Sequence, residues 1–228
     1  NNYDKRLKSQ VLDKLTNRAK GGVFSYLIIW LAISFWADLI TLFPLFFWIN
    51  TALFTLGCLS KLIYYIIRSK KLTDNIEFLN RFLTGSILLH GFHWGIINAL
   101  TSVDPSLHQI HSVMLMTTVG FAMAGTVTFA ISNEIRNFYP YLVVLPGIIA
   151  SLSVKGEESF FIIFLAILAL VYITCTAKVV AKDYWSAVHA NLLANDRALQ
   201  LETLNNTDPL TQLNNRLYFD KTFLTEWN

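Results

Sequence analysis

The stretch Ser159-Phe160-Phe161-Ile162-Ile163-Phe164-Leu165-Ala166-Ile167-Leu168-Ala169-Leu170-Val171-Tyr172-Ile173-Thr174-Cys175-Thr176-Ala177-Lys178 meets no charge until its last residue. About 20 apolar residues of helix cross the hydrocarbon core of a bilayer. The run also lacks the strict alternation of a barrel strand. It predicts a transmembrane helix, and the chain upstream repeats the pattern. Further apolar spans lie near 23–41, 43–67, 82–102, 105–131 and 138–154. The expected fold is an all-α integral membrane bundle of six transmembrane helices, residues 21–178. Pro146 predicts a kink in the short 138–154 span, whose freed carbonyl neighbouring helices must satisfy.

Composition agrees. Of 228 residues, 54% are hydrophobic and 14% charged, and the mean hydropathy is +0.46, which is more apolar than a soluble domain. Cys58 and Cys175 sit in separate apolar runs and read as small buried hydrophobes without a disulfide. The net charge of +3 is mild. Its Lys and Arg residues flank the spans instead of forming one stripe, so nucleic acid is not an expected partner. With no initiator Met and an end inside an expected helix, the sequence reads as a portion of a longer protein.

Residues 1–20 place Lys5, Arg6, Lys8, Lys14, Arg18 and Lys20 around Leu7, Val11, Leu12 and Leu15. This is an amphipathic basic helix suited to an anionic cytoplasmic leaflet, with membrane lipid as its partner. Gly21-Gly22 and the long span beyond do not resemble a cleavable signal. Basic residues gather in the N-terminal segment, the 68–81 loop, the 132–137 loop and the tail from Lys178. The opposite connections hold only Lys155. The positive-inside rule then places both termini in the cytoplasm, as six spans require.

Downstream of the last span, residues 179–206 predict a helical connector. Trp185, Val188, Leu192, Asn195 and Leu199 alternate spacings of three and four, a seam of about two heptads on which Asn195 could set the register of a parallel dimer. A single helix packed on its own domain is the plainer alternative.

The connector runs into Thr207-Asp208-Pro209-Leu210-Thr211-Gln212-Leu213-Asn214-Asn215-Arg216-Leu217-Tyr218-Phe219-Asp220. Thr207 or Asp208 predicts a helix N-cap with Pro209 at the first position. Leu213, Leu217 and Leu224 form an apolar stripe. Asp208, Leu210, Thr211, Leu213, Asn215 and Arg216 stand at the offsets of D-x-L-T-G-L-x-N-R. The segment therefore resembles the opening signature of GGDEF domains, with Gln212 where that family usually has Gly. The resemblance covers about the last twenty residues and implies that 207–228 begins an α/β GGDEF domain behind a membrane sensor. It implies a diguanylate cyclase of the bacterial inner membrane, making cyclic di-GMP from two GTP with Mg as a homodimer. The family's catalytic loop would lie after residue 228, so no catalytic residue is named. Two rivals are the same sensor before a degenerate GGDEF and a cyclic di-GMP phosphodiesterase, and a small-solute transporter with a chance motif.

The remaining signals lie inside the spans. His90 and His93 precede the 103–106 turn, where Asp104 and Pro105 predict a cap and first helical position; His108 and His111 follow it. Residues three apart share a helix face, and antiparallel packing predicts His93 and His111 at comparable depth. Imidazoles with Met114 suit copper or zinc at His93, His111 and Met114. Two facing imidazoles suit an axial b-type haem, with Gly91 and Gly95 making room. Interhelical hydrogen bonding and proton sensing are the alternatives. The stimulus is expected to be a small ligand or redox signal. Lys61 is expected to snorkel to the interface. Gly120 with Ala124 and Ala122 with Thr126 predict close helix packing, and Trp30, Trp36 and Trp48 a lipid-facing belt.

Overall fold

The computed structural model describes residues 2–154 and 157–206, together with 211, 213–216, 218, 219 and 223; the side chains of 2–7, 157, 158, 203 and 205 are excepted. Every regular element among them is helical: α1 (Asn2–Lys20), α2 (Ser25–Trp36), α3 (Leu39–Leu42), α4 (Pro44–Ser69), α5 (Ile76–Val103), α6 (His108–Thr128), α7 (Asn133–Leu152) and α8 (Glu157–Asn206), with a 3₁₀ turn at Pro105–Leu107. Contacts divide the chain into two compact units, Asn1–Ala181 and Lys182–Asn228. Five stretches are long and apolar enough to cross a membrane: Lys8–Trp36, Pro44–Ser69, Pro105–Thr128, Asn133–Leu152 and Ser159–Glu202.

α5 falls outside that group although its 28 residues make it one of the longest helices. Its position explains its polarity. α5 packs along α7 and also meets α1, α4 and α6, so Thr84, His90, Asn98 and Thr101 are buried in protein. A helix surrounded by others carries polar groups that bond its neighbours, and its hydropathy falls accordingly.

The α5–α7 seam follows from proline chemistry. Pro146 sits inside α7 and has no N–H for the carbonyl four residues back, Leu142. Gly95 brings the α5 backbone directly against Leu142 O and Val143 O, where a Cβ would collide with both carbonyls. Gly91 admits Tyr139 and Val143, and Gly147 admits Asn98 in the same way. Glycines four apart let two backbones approach, and Cα–H groups then face the freed carbonyl.

Several expectations are corrected. The first span breaks after Trp36: Asp38 adopts a left-handed φ of 51°, which Asp tolerates better than most residues. Its carboxylate accepts from Thr41 Oγ1 at 2.8 Å, and Gln109 Nε2 donates to Ala37 O at 3.2 Å. The 132–137 loop is instead the start of α7. Ser132 Oγ caps it by accepting from Ile135 N at 3.4 Å, and Arg136 donates to Ala130 O at 2.9 Å. Trp30 is fully buried and donates to Thr51 Oγ1 at 2.9 Å, whereas Trp36 and Trp48 are exposed as expected. Cys58 is buried but Cys175 is exposed. Asp104 does act as a cap, accepting from Ser106 N at 2.9 Å and Ser106 Oγ at 2.6 Å. Those donors hold its carboxyl below the usual aspartate value.

α1 turns its apolar stripe toward protein. Leu12, Leu15 and Ala19 are buried. Thr16 Oγ1 shares a hydrogen bond of 2.7 Å with Tyr64 OH on α4, and Asp13 pairs with Arg68. Both members of that ion pair are partly exposed, so Asp13→Ala is expected to cost less than about 1 kcal/mol. Leu15→Ala should cost about 2–5 kcal/mol, as for other buried leucines. Thermal unfolding of the two variants in detergent checks the contrast; equal losses would place the holding force in the ion pair.

In the second unit, Trp185, Val188 and Leu192 are half-buried, while Asn195 and Leu199 are exposed. Of the motif residues, Asp208 and Leu210 lie outside the described residues, as do Thr207 and Pro209. Leu213 N donates to Thr211 Oγ1 at 3.5 Å. Asn215 caps the turn that follows, accepting from Tyr218 N through Oδ1 at 2.9 Å, and its own N–H returns to Asn206 O at 2.8 Å. Arg216 begins that helical turn and is exposed.

Candidate functional site

The interior of the first unit is an aromatic and polar cluster built by four helices. Tyr26 of α2 stacks on Phe121 of α6, with ring centroids 4.1 Å apart. Its ring also meets His90 and Trp94 of α5, each at 5.6 Å. Tyr26 OH is hydrogen-bonded to Tyr139 OH of α7, and Tyr139 donates onward to Phe121 O at 3.2 Å. Trp94 Nε1 donates to Thr118 Oγ1 at 3.0 Å. Offset aromatic pairs at these separations add cohesion beyond the area they bury.

Of the four hairpin histidines, His90 and His111 are buried, His93 is half-buried and His108 is exposed. His90 Nδ1 lies 3.0 Å from Ser86 O, and its ring fills the notch at Gly57 of α4, where a Cβ would fall inside the imidazole. His93 turns to α4, with Nε2 2.9 Å from Asn50 Oδ1 and its ring 4.3 Å from Phe54. His111 stays within the hairpin, Nδ1 3.3 Å from Thr101 Oγ1, and stacks on His108 at 5.7 Å. Met114 is fully buried and Met116 exposed.

The expected meeting of His93 with His111 is therefore replaced by separate partners. No group of three or more His, Cys, Asp or Glu side chains converges among the described residues. Gly91 and Gly95, expected to make room for a macrocycle, are filled by α7. As placed, these residues do not fit an axial haem, because His93 Nε2 is engaged by Asn50 and the glycine face is occupied. The arrangement fits interhelical hydrogen bonding. A double-mutant cycle with Asn50→Leu and His93→Leu should give a coupling of about 0.6 kcal/mol, at most about 1.7, typical of such bonds in membrane bundles. A Soret band, or stoichiometric copper or zinc in purified protein, would reassign the hairpin.

Sequence reasoning missed a second feature. A cavity of about 260 Å³ opens where the end of α1 meets α2, α4, α6 and α7, lined by Arg18, Ser25, Tyr26, Lys61, Phe121 and Tyr139 among others. Lys61 does not reach outward as expected. It is only 4% exposed, and its ammonium sits 5.9 Å from the centroid of the Tyr26 ring, within cation–π range. Arg18 reaches across the same end of the bundle to donate to Thr128 O at 2.8 Å. The sequence signal was present: Lys61 is a cation inside an otherwise apolar span, which points to function by default.

Comparison of the chain with protein-family models, with curated proteins and with solved structures finds no match.

Proposed function

We propose that this chain is the membrane input region of a bacterial diguanylate cyclase, with residues 207–228 opening the GGDEF domain. One observation carries the reading: six motif residues, Asp208 to Arg216, stand in order directly after the apolar bundle and its helical exit. Thr211 and Asn215 acting locally as turn and cap residues is compatible with it.

On this reading α5 is the sixth span. It would extend about 42 Å at 1.5 Å per residue, and its low hydropathy belongs to a helix shielded by its neighbours. The exposed apolar faces of α4 (Leu45, Trp48, Leu53, Leu56) and of α8 (Phe160, Phe164, Leu168) would meet lipid, since surfaces of that kind are unfavourable in water. Both termini would then lie in the cytoplasm of the inner membrane.

Signalling would pass from the bundle through α8, a single helix of 50 residues, to a homodimer joined along Trp185, Val188, Leu192, Asn195 and Leu199. A near-complete switch requires the stimulus to discriminate between two states by roughly 5 kcal/mol. The deciding experiment incubates the full-length protein with GTP and Mg in liposomes. Cyclic di-GMP formation is expected; hydrolysis of added cyclic di-GMP would favour the phosphodiesterase fusion, and solute flux without either would favour a transporter.

A further inference from the structure

We propose that the cavity at the α1 end of the bundle binds a small organic carboxylate with an apolar body. The site stands on the cavity alone and does not depend on the cyclase reading.

The decisive group is Lys61. Its side chain is buried, lines the cavity, and has no hydrogen-bond or ion-pair partner among the described residues; its ring contact with Tyr26 is a weak substitute. Among the described residues, no Asp or Glu lines the cavity. With no acceptor from the protein, the ammonium reaches into the cavity, where an anion can pair with it in place of water.

The donor set selects which anion. Tyr139 gives its proton to Phe121 O, so Tyr26 gives its own to Tyr139, and neither phenol has a hydrogen left for a ligand. Arg18 already donates to Thr128 O. The side chains left to donate are the Lys61 ammonium and the hydroxyls of Ser25 and Thr128, neither of which makes a side-chain hydrogen bond among the described residues. One unengaged ammonium in an otherwise largely apolar wall matches the single charge of a carboxylate better than the up to two charges of a phosphate monoester. The rest of the wall is apolar, from Ala19, Ile87, Phe121, Ala124 and Phe129. At about 260 Å³ the space holds on the order of ten non-hydrogen atoms, taking ~30 Å³ for each water-sized group. A six-carbon acid is of that size.

The test uses the purified full chain in detergent, with hexanoate, hexanol, inorganic phosphate and palmitate as probes and thermal shift and calorimetry as readouts. Hexanoate should bind saturably and at least tenfold more tightly than hexanol, its uncharged counterpart, and phosphate should give no shift. Lys61→Met, which keeps an unbranched side chain without the charge, should weaken hexanoate at least tenfold. Ala124→Phe fills the cavity from an exposed position and should abolish binding with the fold intact by circular dichroism. Palmitate tenfold tighter than hexanoate would make the membrane the source of the acid; hexanoate as tight or tighter would make it the soluble pool. Equal binding of hexanoate and hexanol, a shift with phosphate matching that with hexanoate, or unchanged hexanoate affinity in both variants would overturn the proposal. Saturable hexanoate binding by a protein that makes no cyclic di-GMP would keep the site and overturn only the cyclase reading, so the two readings fail separately.

Discussion

Gly95→Ala should lower the stability of the bundle by about 3 kcal/mol, the upper end of what an added methyl costs in a packed core. The neighbours decide the size. A Cβ at Gly95 would meet the carbonyl oxygens of Leu142 and Val143 and the ring of Pro146, and backbone cannot step aside as a flexible side chain can. α5 and α7 would have to separate at the point where Pro146 leaves the Leu142 carbonyl without its helix donor. At Gly57 the three atoms nearest the added methyl all belong to the His90 ring, a side chain and not backbone, so Gly57→Ala should cost less. Gly120→Ala is the control: nothing lies within 4 Å of that position, and alanine there should stabilise the helix by about 0.5–1 kcal/mol. Thermal unfolding in detergent ranks the three. A Gly95→Ala protein as stable as Gly120→Ala would mean that the helices are not in backbone contact.

The same seam marks what the sequence could convey. Apolar runs report length and lipid compatibility, so α4 and α6 were legible to within a few residues, and the span and connector expected from 159 onward form the single helix α8, Glu157–Asn206. Partners are not encoded in hydropathy. Gly91 and Gly95 are small in any reading, and only the position of α7 decides between room for a ligand and close packing. The partners of the histidines are hidden from the sequence for a related reason. Spacing of three does put His90 and His93 on one face of α5, and that face meets α4, where one imidazole enters the notch at Gly57 and the other finds Asn50. α6 does pack on α5, but His111 reaches it at Thr101, while His90 and His93 are turned to α4. Lys61 was misassigned because a long side chain two turns from the end of its span can reach either outward or inward. The burial of α1 decides it, covering that end of the bundle with Leu15 and Ala19. Sequence periodicity told that α1 is amphipathic without telling whether lipid or protein covers it.

Leu192→Asp should reduce cyclic di-GMP synthesis by the full-length protein at least tenfold while leaving unfolding of the bundle unchanged within about 0.5 kcal/mol, as for surface changes generally. On the proposed connector, Leu192 lies at the middle of the seam, flanked by Val188 and Asn195. In a parallel pair its side chain faces its own copy across the interface, so the substitution removes an apolar contact and sets two carboxylates against each other. A tenfold loss corresponds to about 1.4 kcal/mol of dimer free energy, well within what such a pair removes. Leu193 is one residue further along and points some 100° away on the helix. It is also apolar and 57% exposed, so Leu193→Asp carries the same charge without touching the seam and should retain activity. Cysteine at 192 should cross-link in membranes where cysteine at 193 does not. Equal activity of the two aspartate variants would place the dimer contact elsewhere and leave residues 179–206 a tether without a register.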